Sequence, residues 1–242
     1  MADVLSLLQV SLDALKSGTL PPTEVIKNLA AKVVGYGIIA GSTLVKVPQI
    51  TNVVRAHSAE GLSATSFELE SWALLVHAGY GYVNAMPFSS YGEASLMLAQ
   101  NLLLLALVYR YARLPAARVA TVMGLLVAAM AVLATGRASR SQVGALYDVN
   151  NFIMLAARVP QILKNFSEQS TGQLSIVTFG VNTVGCVVRI LTSLHEGAHA
   201  MVRSYILGLI MNATLVGQIL VYGNKGVRKE PAGQGAVTKK KA

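Results

Sequence analysis

Charge is scarce in this sequence. Only 13% of its 242 residues are charged, against roughly 25% in an ordinary soluble domain. With a mean hydropathy of +0.53, that scarcity excludes a disordered chain and argues against a soluble enzyme. Cysteine is almost absent. The single one, Cys186, excludes an internal disulfide and lies in an apolar run, where an inert buried thiol is expected. Catalytic signatures are missing too. There is no Walker loop, no zinc-ligand spacing, no nucleophile elbow, no Asp-x-Asp pair and no obvious carboxylate couple for acid–base work. No catalytic residue, metal site or cofactor is therefore expected, and the chain is expected not to be an enzyme.

Acids are the rarer sign. Lys and Arg number 20 against 11 Asp and Glu, a net charge of +9. The basic residues cluster at the ends of apolar segments and in the tail. No basic face interleaved with aromatics is present, which excludes nucleic acid as the expected partner. Anionic membrane lipid is the partner such placement implies. A cleavable leader is not expected, because residues 1–15 lack a basic start and carry Asp3 and Asp13. They read instead as a short amphipathic helix at the membrane interface, with Val4, Leu5, Leu8, Leu12 and Leu15 on one side. Pro21-Pro22-Thr23 breaks the chain and starts a second short helix to Lys32.

What is abundant is apolar length. A membrane-spanning helix needs about 20 residues. Seven candidate segments follow one another at about 33–54, 64–84, 92–112, 116–135, 141–163, 174–194 and 203–223, separated by short loops with turn residues. An all-α polytopic membrane protein of seven crossings is the expected fold. Lys and Arg then set its orientation. The face holding the N-terminus has six (Lys16, Lys27, Lys32, Arg137, Arg140, Arg203). The opposite face has eleven, five beside the spans (Arg55, Arg110, Arg113, Arg118, Lys164) and six in the tail. Lys46 and Arg158 lie near the ends of their segments and add to that side. The C-terminus is thus expected in the cytosol. Asn165-Phe166-Ser167 and Asn212-Ala213-Thr214 match glycosylation acceptors, but a cytosolic loop and a span are not accessible to that modification.

The sequence also repeats itself. Residues 46–66 align without gaps to 158–178, an offset of 112, and share Val47/Val159, Pro48/Pro160, Gln49/Gln161, Ile50/Ile162, Ser58/Ser170, Leu62/Leu174 and Ser63/Ser175. Lys46 and Arg158 match in charge. The repeat divides the chain into an N-terminal amphipathic segment (1–32), a first triple-helix bundle (33–112), a linker helix (113–140), a second bundle (141–223) and a basic tail (224–242). One linker crossing leaves the two copies in the same orientation, a 3+1+3 parallel repeat about an axis along the membrane normal.

Several residues stand out as candidates. A proline inside a helix strips the carbonyl four residues earlier of its donor and bends the helix. Pro48 and Pro160 therefore predict a paired hinge, with Gln49 and Gln161 placed to bond the freed backbone groups. Ionisable residues within spans are costly and are functional candidates by default. Lys46 is expected to pair with Glu70, and Lys46 and Arg158 together could hold a phosphate from two sides. Arg189 opposes the charge bias and is expected to meet Glu93 or Asp148, or, like Lys46 and Arg158, to offset the charge of a bound phosphodiester. His77 reads as a satisfied bundle histidine. Asn84 and Asn212 head a set of uncharged amides that could line a sugar path or act as interhelical glue. Gly35, Gly37, Gly41, Gly79 and Gly81 predict close helix contacts.

The duplicated Pro-Gln at the end of the first span of each triplet resembles the PQ-loop family, which includes cystinosin-like exporters, SWEET sugar carriers and KDEL receptors. Further strings are similar to its mannose-P-dolichol-utilization branch. They are Ala40-Gly41-Ser42-x-Leu44-Val45-Lys46-x-Pro48-Gln49, Ser58-Ala59-Glu60-Gly61-Leu62-Ser63, Pro87-Phe88-Ser89-Ser90-x-Gly92-Glu93-Ala94, Thr171-Gly172-Gln173-Leu174-Ser175 and Arg189-Ile190-x-Thr192-Ser193. The resemblance covers roughly 35–222. It implies an endoplasmic reticulum protein, N-terminus lumenal, needed for lumenal use of dolichol-phosphate-mannose and dolichol-phosphate-glucose in N-glycan precursors, GPI anchors and mannosylation. Dolichol-phosphate sugars and endoplasmic reticulum glycosyltransferases are the partners it implies. Whether the lipid is flipped or presented stays open on this ground, as does a SWEET- or cystinosin-like carrier of a small sugar or amino acid. It also places a functional glutamate at Glu70 rather than at the neighbouring Glu68. The final Lys239-Lys240-Lys241-Ala242 resembles a cytosolic dilysine retrieval signal, carried by Lys239 and Lys240.

Overall fold

The computed structural model describes residues 2–156, 158–172 and 174–223. Lys239, Lys240 and the rest of the tail lie outside these. The described residues form ten helices: α1 (Ala2–Lys16), α2 (Thr23–Ser42), α3 (Val47–Ala56), α4 (Ala64–Val83), α5 (Phe88–Ala112), α6 (Ala116–Ala134), α7 (Arg140–Ala156), α8 (Val159–Glu168), α9 (Ile176–His195) and α10 (His199–Tyr222). Five helical stretches, Thr23–Ala56, Phe88–Ala112, Ala116–Ala134, Ile176–His195 and His199–Tyr222, are long and apolar enough to cross a membrane. α4, which carries Glu68, Glu70 and His77, does not reach that mark, and α7 and α8 are each too short to reach it alone.

The repeat in the sequence is a repeat in the helices. Adding 112 to the bounds of α3 gives those of α8, and adding it to α4 gives α9. Local signals recur with it. Ser63 and Ser175 cap the starts of α4 and α9, each accepting from the amide three residues on, Ser66 and Thr178. His57 and Gln169 end α3 and α8 in the left-handed conformation. Ala85 and Gly197, again 112 apart, take the positive φ that turns the chain after α4 and α9.

The prolines do not kink continuous helices. Each stands at the second residue of a new helix, α3 or α8, where a missing N–H costs nothing. The first span is therefore two half-helices around residues 43–46. There the ladder tightens to three-residue bonds, Thr43 to Ala40, Leu44 to Gly41 and Val45 to Ser42. The N-terminal half, conversely, is less divided than expected. No breaker follows Thr23, so the short helix expected to stop at Lys32 runs on to Ser42 as one element.

Packing groups α2–α3, α4 and α5 in one bundle, and α7–α8, α9 and α10 in another. The bundles meet reciprocally, α4 on α7 and α2 on α9, while α6 lies along α4. Glycine makes three of the expected close approaches. A Cβ on Gly35 would stand 2.8 Å from the Ser89 Cβ, one on Gly81 2.5 Å from the Tyr91 Cβ, and one on Gly79 2.8 Å from Leu133. Gly37 and Gly41 face open space, so their expected contacts are not made. Many large apolar side chains remain uncovered, among them Leu5, Phe152, Leu163 and Val221. Such a surface suits hydrocarbon rather than water.

Candidate functional site

The breaks in the two first spans collect the polar groups. Lys46 Nζ donates to Glu70 Oε2 at 2.8 Å and lies 5.5 Å from the centre of the Phe67 ring. The expected Lys46–Glu70 pair is formed. Gln49 does not stitch this break. Gln100 of α5 does, donating from Nε2 to the Ser42 carbonyl at 2.9 Å and accepting from the Lys46 amide at 3.1 Å. In the second bundle, Arg158 Nη1 donates to Asn212 Oδ1 at 2.5 Å. Asn212 stands at the register position of Gln100, 112 residues on, but it meets the Arg158 side chain where Gln100 meets backbone. A second amide chain runs below it. Gln161 donates to Asn165 at 2.8 Å, Asn165 to Gln218 at 2.9 Å, and Gln218 to the Ile162 carbonyl at 2.9 Å. Asn165 is buried, so its acceptor motif is spent on the fold.

Lys46 and Arg158 sit in separate bundles and share no partner. Each starts a ten-residue half-helix, α3 or α8. At 1.5 Å per residue this puts both about 15 Å from the loop that follows, near the middle of a bilayer core. Asn84 caps the end of its own helix by donating to the Tyr80 carbonyl at 2.8 Å and joins neither cation.

A further set of polar groups lies toward the N-terminal face, and several of them join the bundles. Arg189 of α9 pairs with Glu93 of α5, one of the two partners expected for it, and donates to the Ser89 carbonyl at 3.1 Å. Glu196 accepts from Ser89 Oγ at 2.8 Å and also from Ser90 Oγ. His195 meets Asn28 of α2 at 2.6 Å. Asp148 instead faces Arg203 at 3.7 Å. Tyr147 of α7 stacks on Tyr80 of α4, ring centres 4.3 Å apart, and takes His77 edge-on at 5.3 Å. A cluster of Tyr80, Val143, Tyr147, Ala198 and Met201 seals the same end.

At the PQ end the contacts differ in kind. Val53, Phe67, Leu104, Leu105, Val108 and Tyr109 pack within the first bundle, with α6 residues beside them. Ser89, Ser90, Glu93, Arg189, Glu196, His195 and Asn28 thus bolt the halves together at the N-terminal end. Sequence reasoning missed the roles of Gln100, Ser89, Ser90 and Glu196. Nothing in the local pattern marks them, because each bonds an element more than fifty residues away. Two open grooves follow the seams. One, of about 430 Å³, lies between α2 and α9 beside Lys27 and His195. The other, of about 750 Å³, lies between α4, α6 and α7, lined by Trp72, Leu75, Val76, Leu133 and Val149, with Arg137 and Gln142 at its end.

Comparison with known proteins agrees with the duplicated geometry. The PQ loop repeat profile matches residues 30–90 and again 149–199. Human solute carrier family 66 member 3 is 24% identical over 186 residues, covering 76% of this chain and 90% of the relative. The matched segments hold the two Pro-Gln helix starts and the helices packed beside them, so the chain carries two segments similar to the PQ loop repeat within an all-helical fold that has five stretches long and apolar enough to cross a membrane.

Proposed function

We propose that this protein moves a dolichol-phosphate-linked sugar, mannose or glucose, across the endoplasmic reticulum membrane by alternating access. It does so as seven crossings in a parallel 3+1+3 arrangement with the C-terminus cytosolic. The observation that carries this reading is the one-sided closure of the two bundles. Arg189–Glu93, Ser89 and Ser90 with Glu196, and His195–Asn28 join them at one face, while at the other the ion pairs Lys46–Glu70 and Arg118–Glu68 stay within the first bundle and its linker. A conformer shut toward the lumen and parted toward the cytosol is one of the two states a carrier needs. The broken first spans supply joints at which each bundle bends.

The cargo class follows from charge and surface. A phosphodiester in hydrocarbon costs several kcal/mol or more unless a cation and polar groups replace its water. Arg158, at mid-bilayer depth and with no acidic partner among the described residues, meets that need. The seam grooves are lined mainly by apolar side chains, which suits the polyprenyl chain of such a cargo. No step requires covalent chemistry, and the protein acts as a carrier rather than an enzyme.

The test is reconstitution of pure protein into liposomes with labelled dolichol-phosphate-mannose. Accelerated appearance of the label on the opposite leaflet is expected, and its absence with active protein overturns the reading. A second reading is favoured by the printed name of the human relative, a solute carrier. Flux of a free sugar or amino acid in the same liposomes, with no lipid movement, would select it.

A further inference from the structure

The two repeats match in backbone but not in charge. In the first, Lys46 is answered by Glu70 at 2.8 Å and by the Phe67 ring. In the second, the position of Glu70 is taken by Asn182, 112 residues on. Arg158 has its Asn212 contact and, among the described residues, no acidic partner. Asn212 is a neutral group, further engaged with the Gly208 carbonyl at 2.8 Å. It orients the guanidinium without balancing its charge. Arg158 is half-buried and about 15 Å from the loop after α8, too deep for the side chain to reach water by snorkelling. Asn182 is exposed, so no helix covers the position that corresponds to Glu70.

We infer that Arg158 is the anion-binding residue of this protein, and that its ligand is a phosphate-bearing headgroup which supplies the negative charge that Glu70 supplies to Lys46. The inference rests on the carrier reading for its cargo and adds a division of labour. The first bundle is electrostatically self-contained, and the second is completed by the ligand. A guanidinium suits the task, since its planar fork takes two phosphate oxygens at once. Asn212 holds one arm of the fork and leaves the others free. Phosphate on a lipid and phosphate on a soluble molecule share this chemistry.

The experiment measures binding of two probes to the full-length protein in nanodiscs, short-chain polyprenyl-phosphate-mannose and mannose 1-phosphate, with the matching neutral polyprenol as control. Arg158→Gln is expected to weaken the better-bound phosphate probe by about 30-fold or more, and Arg158→Lys by less. Asn182→Glu leaves Arg158 in place but supplies an internal acid, and is expected to reduce binding as strongly. It also guards against a folding defect in the arginine variant. Binding of mannose 1-phosphate alone, lost in both variants, upholds the site while removing the lipid as cargo. Lipid binding that survives both variants, or no phosphate binding by the wild type, overturns the assignment.

Discussion

Arg118 grips Glu68 with both arms of its fork, Nε to Oε1 at 3.0 Å and Nη2 to Oε2 at 2.8 Å. The linker helix is thereby pinned to α4, and Tyr109 of α5 donates to the same carboxylate at 2.9 Å. Glu68 is thus a fastener of three helices, unlike its neighbour Glu70. Arg118→Ala strands a buried carboxylate. A loss of about 2–3 kcal/mol is expected, measured as a lower melting temperature in detergent. Arg118→Lys should recover only part, because an ammonium cannot reproduce two parallel bonds.

Among the described residues, Gln100 is the side chain that bonds both sides of the first break, at Ser42 and at Lys46. Gln100→Leu keeps the bulk and removes both bonds. Hydrogen exchange at residues 43–46 should rise, and stability should fall by about 1–3 kcal/mol. Unchanged exchange there would mean the break is held by packing alone.

Arg189 and Glu93 form the ionic part of the closed face. Arg189→Gln leaves Glu93 without its cation, and a loss of about 3 kcal/mol is expected. Adding Glu93→Gln should restore most of it, since the penalty is the stranded charge. In the carrier reading the double variant also opens more readily toward the lumen. Labelling of a cysteine placed at Ser89 in that background, with Cys186 replaced by Ser, would detect it.

Glycine substitutions separate contact from spacing. Gly81→Ala drives a methyl into Tyr91 and is expected to cost about 1–3 kcal/mol. Gly37→Ala meets nothing within 4 Å and gains helix propensity of just under about 1 kcal/mol. Thermal unfolding of the two variants should move in opposite directions.

The parallel arrangement has its own check, helped by the scarcity of cysteine. With Cys186 replaced, single cysteines at His57 and Ser170 should react with an impermeant reagent from the same side of the membrane. A cysteine at Thr135 should react from the other. Opposite sides for the two PQ loops would refute parallel repeats.

Much of this was legible in sequence because it is local or periodic. Hydropathy marks the membrane class, and an offset of 112 fixes which helices correspond. The rarity of charge in apolar segments points to Lys46, Glu70, Arg158 and Arg189, and two of the partners foreseen, Glu70 and Glu93, are the ones found. Tertiary structure alone decided the remainder. It gave the stitching to Gln100 instead of Gln49, turned Glu68 to Arg118, made the prolines helix starts, and tied the bundles at the N-terminal face. The reason is physical. A residue's helical face is set by its near neighbours, but which donor reaches a freed carbonyl depends on how helices fifty residues apart come to lie, and no short stretch of sequence encodes that distance.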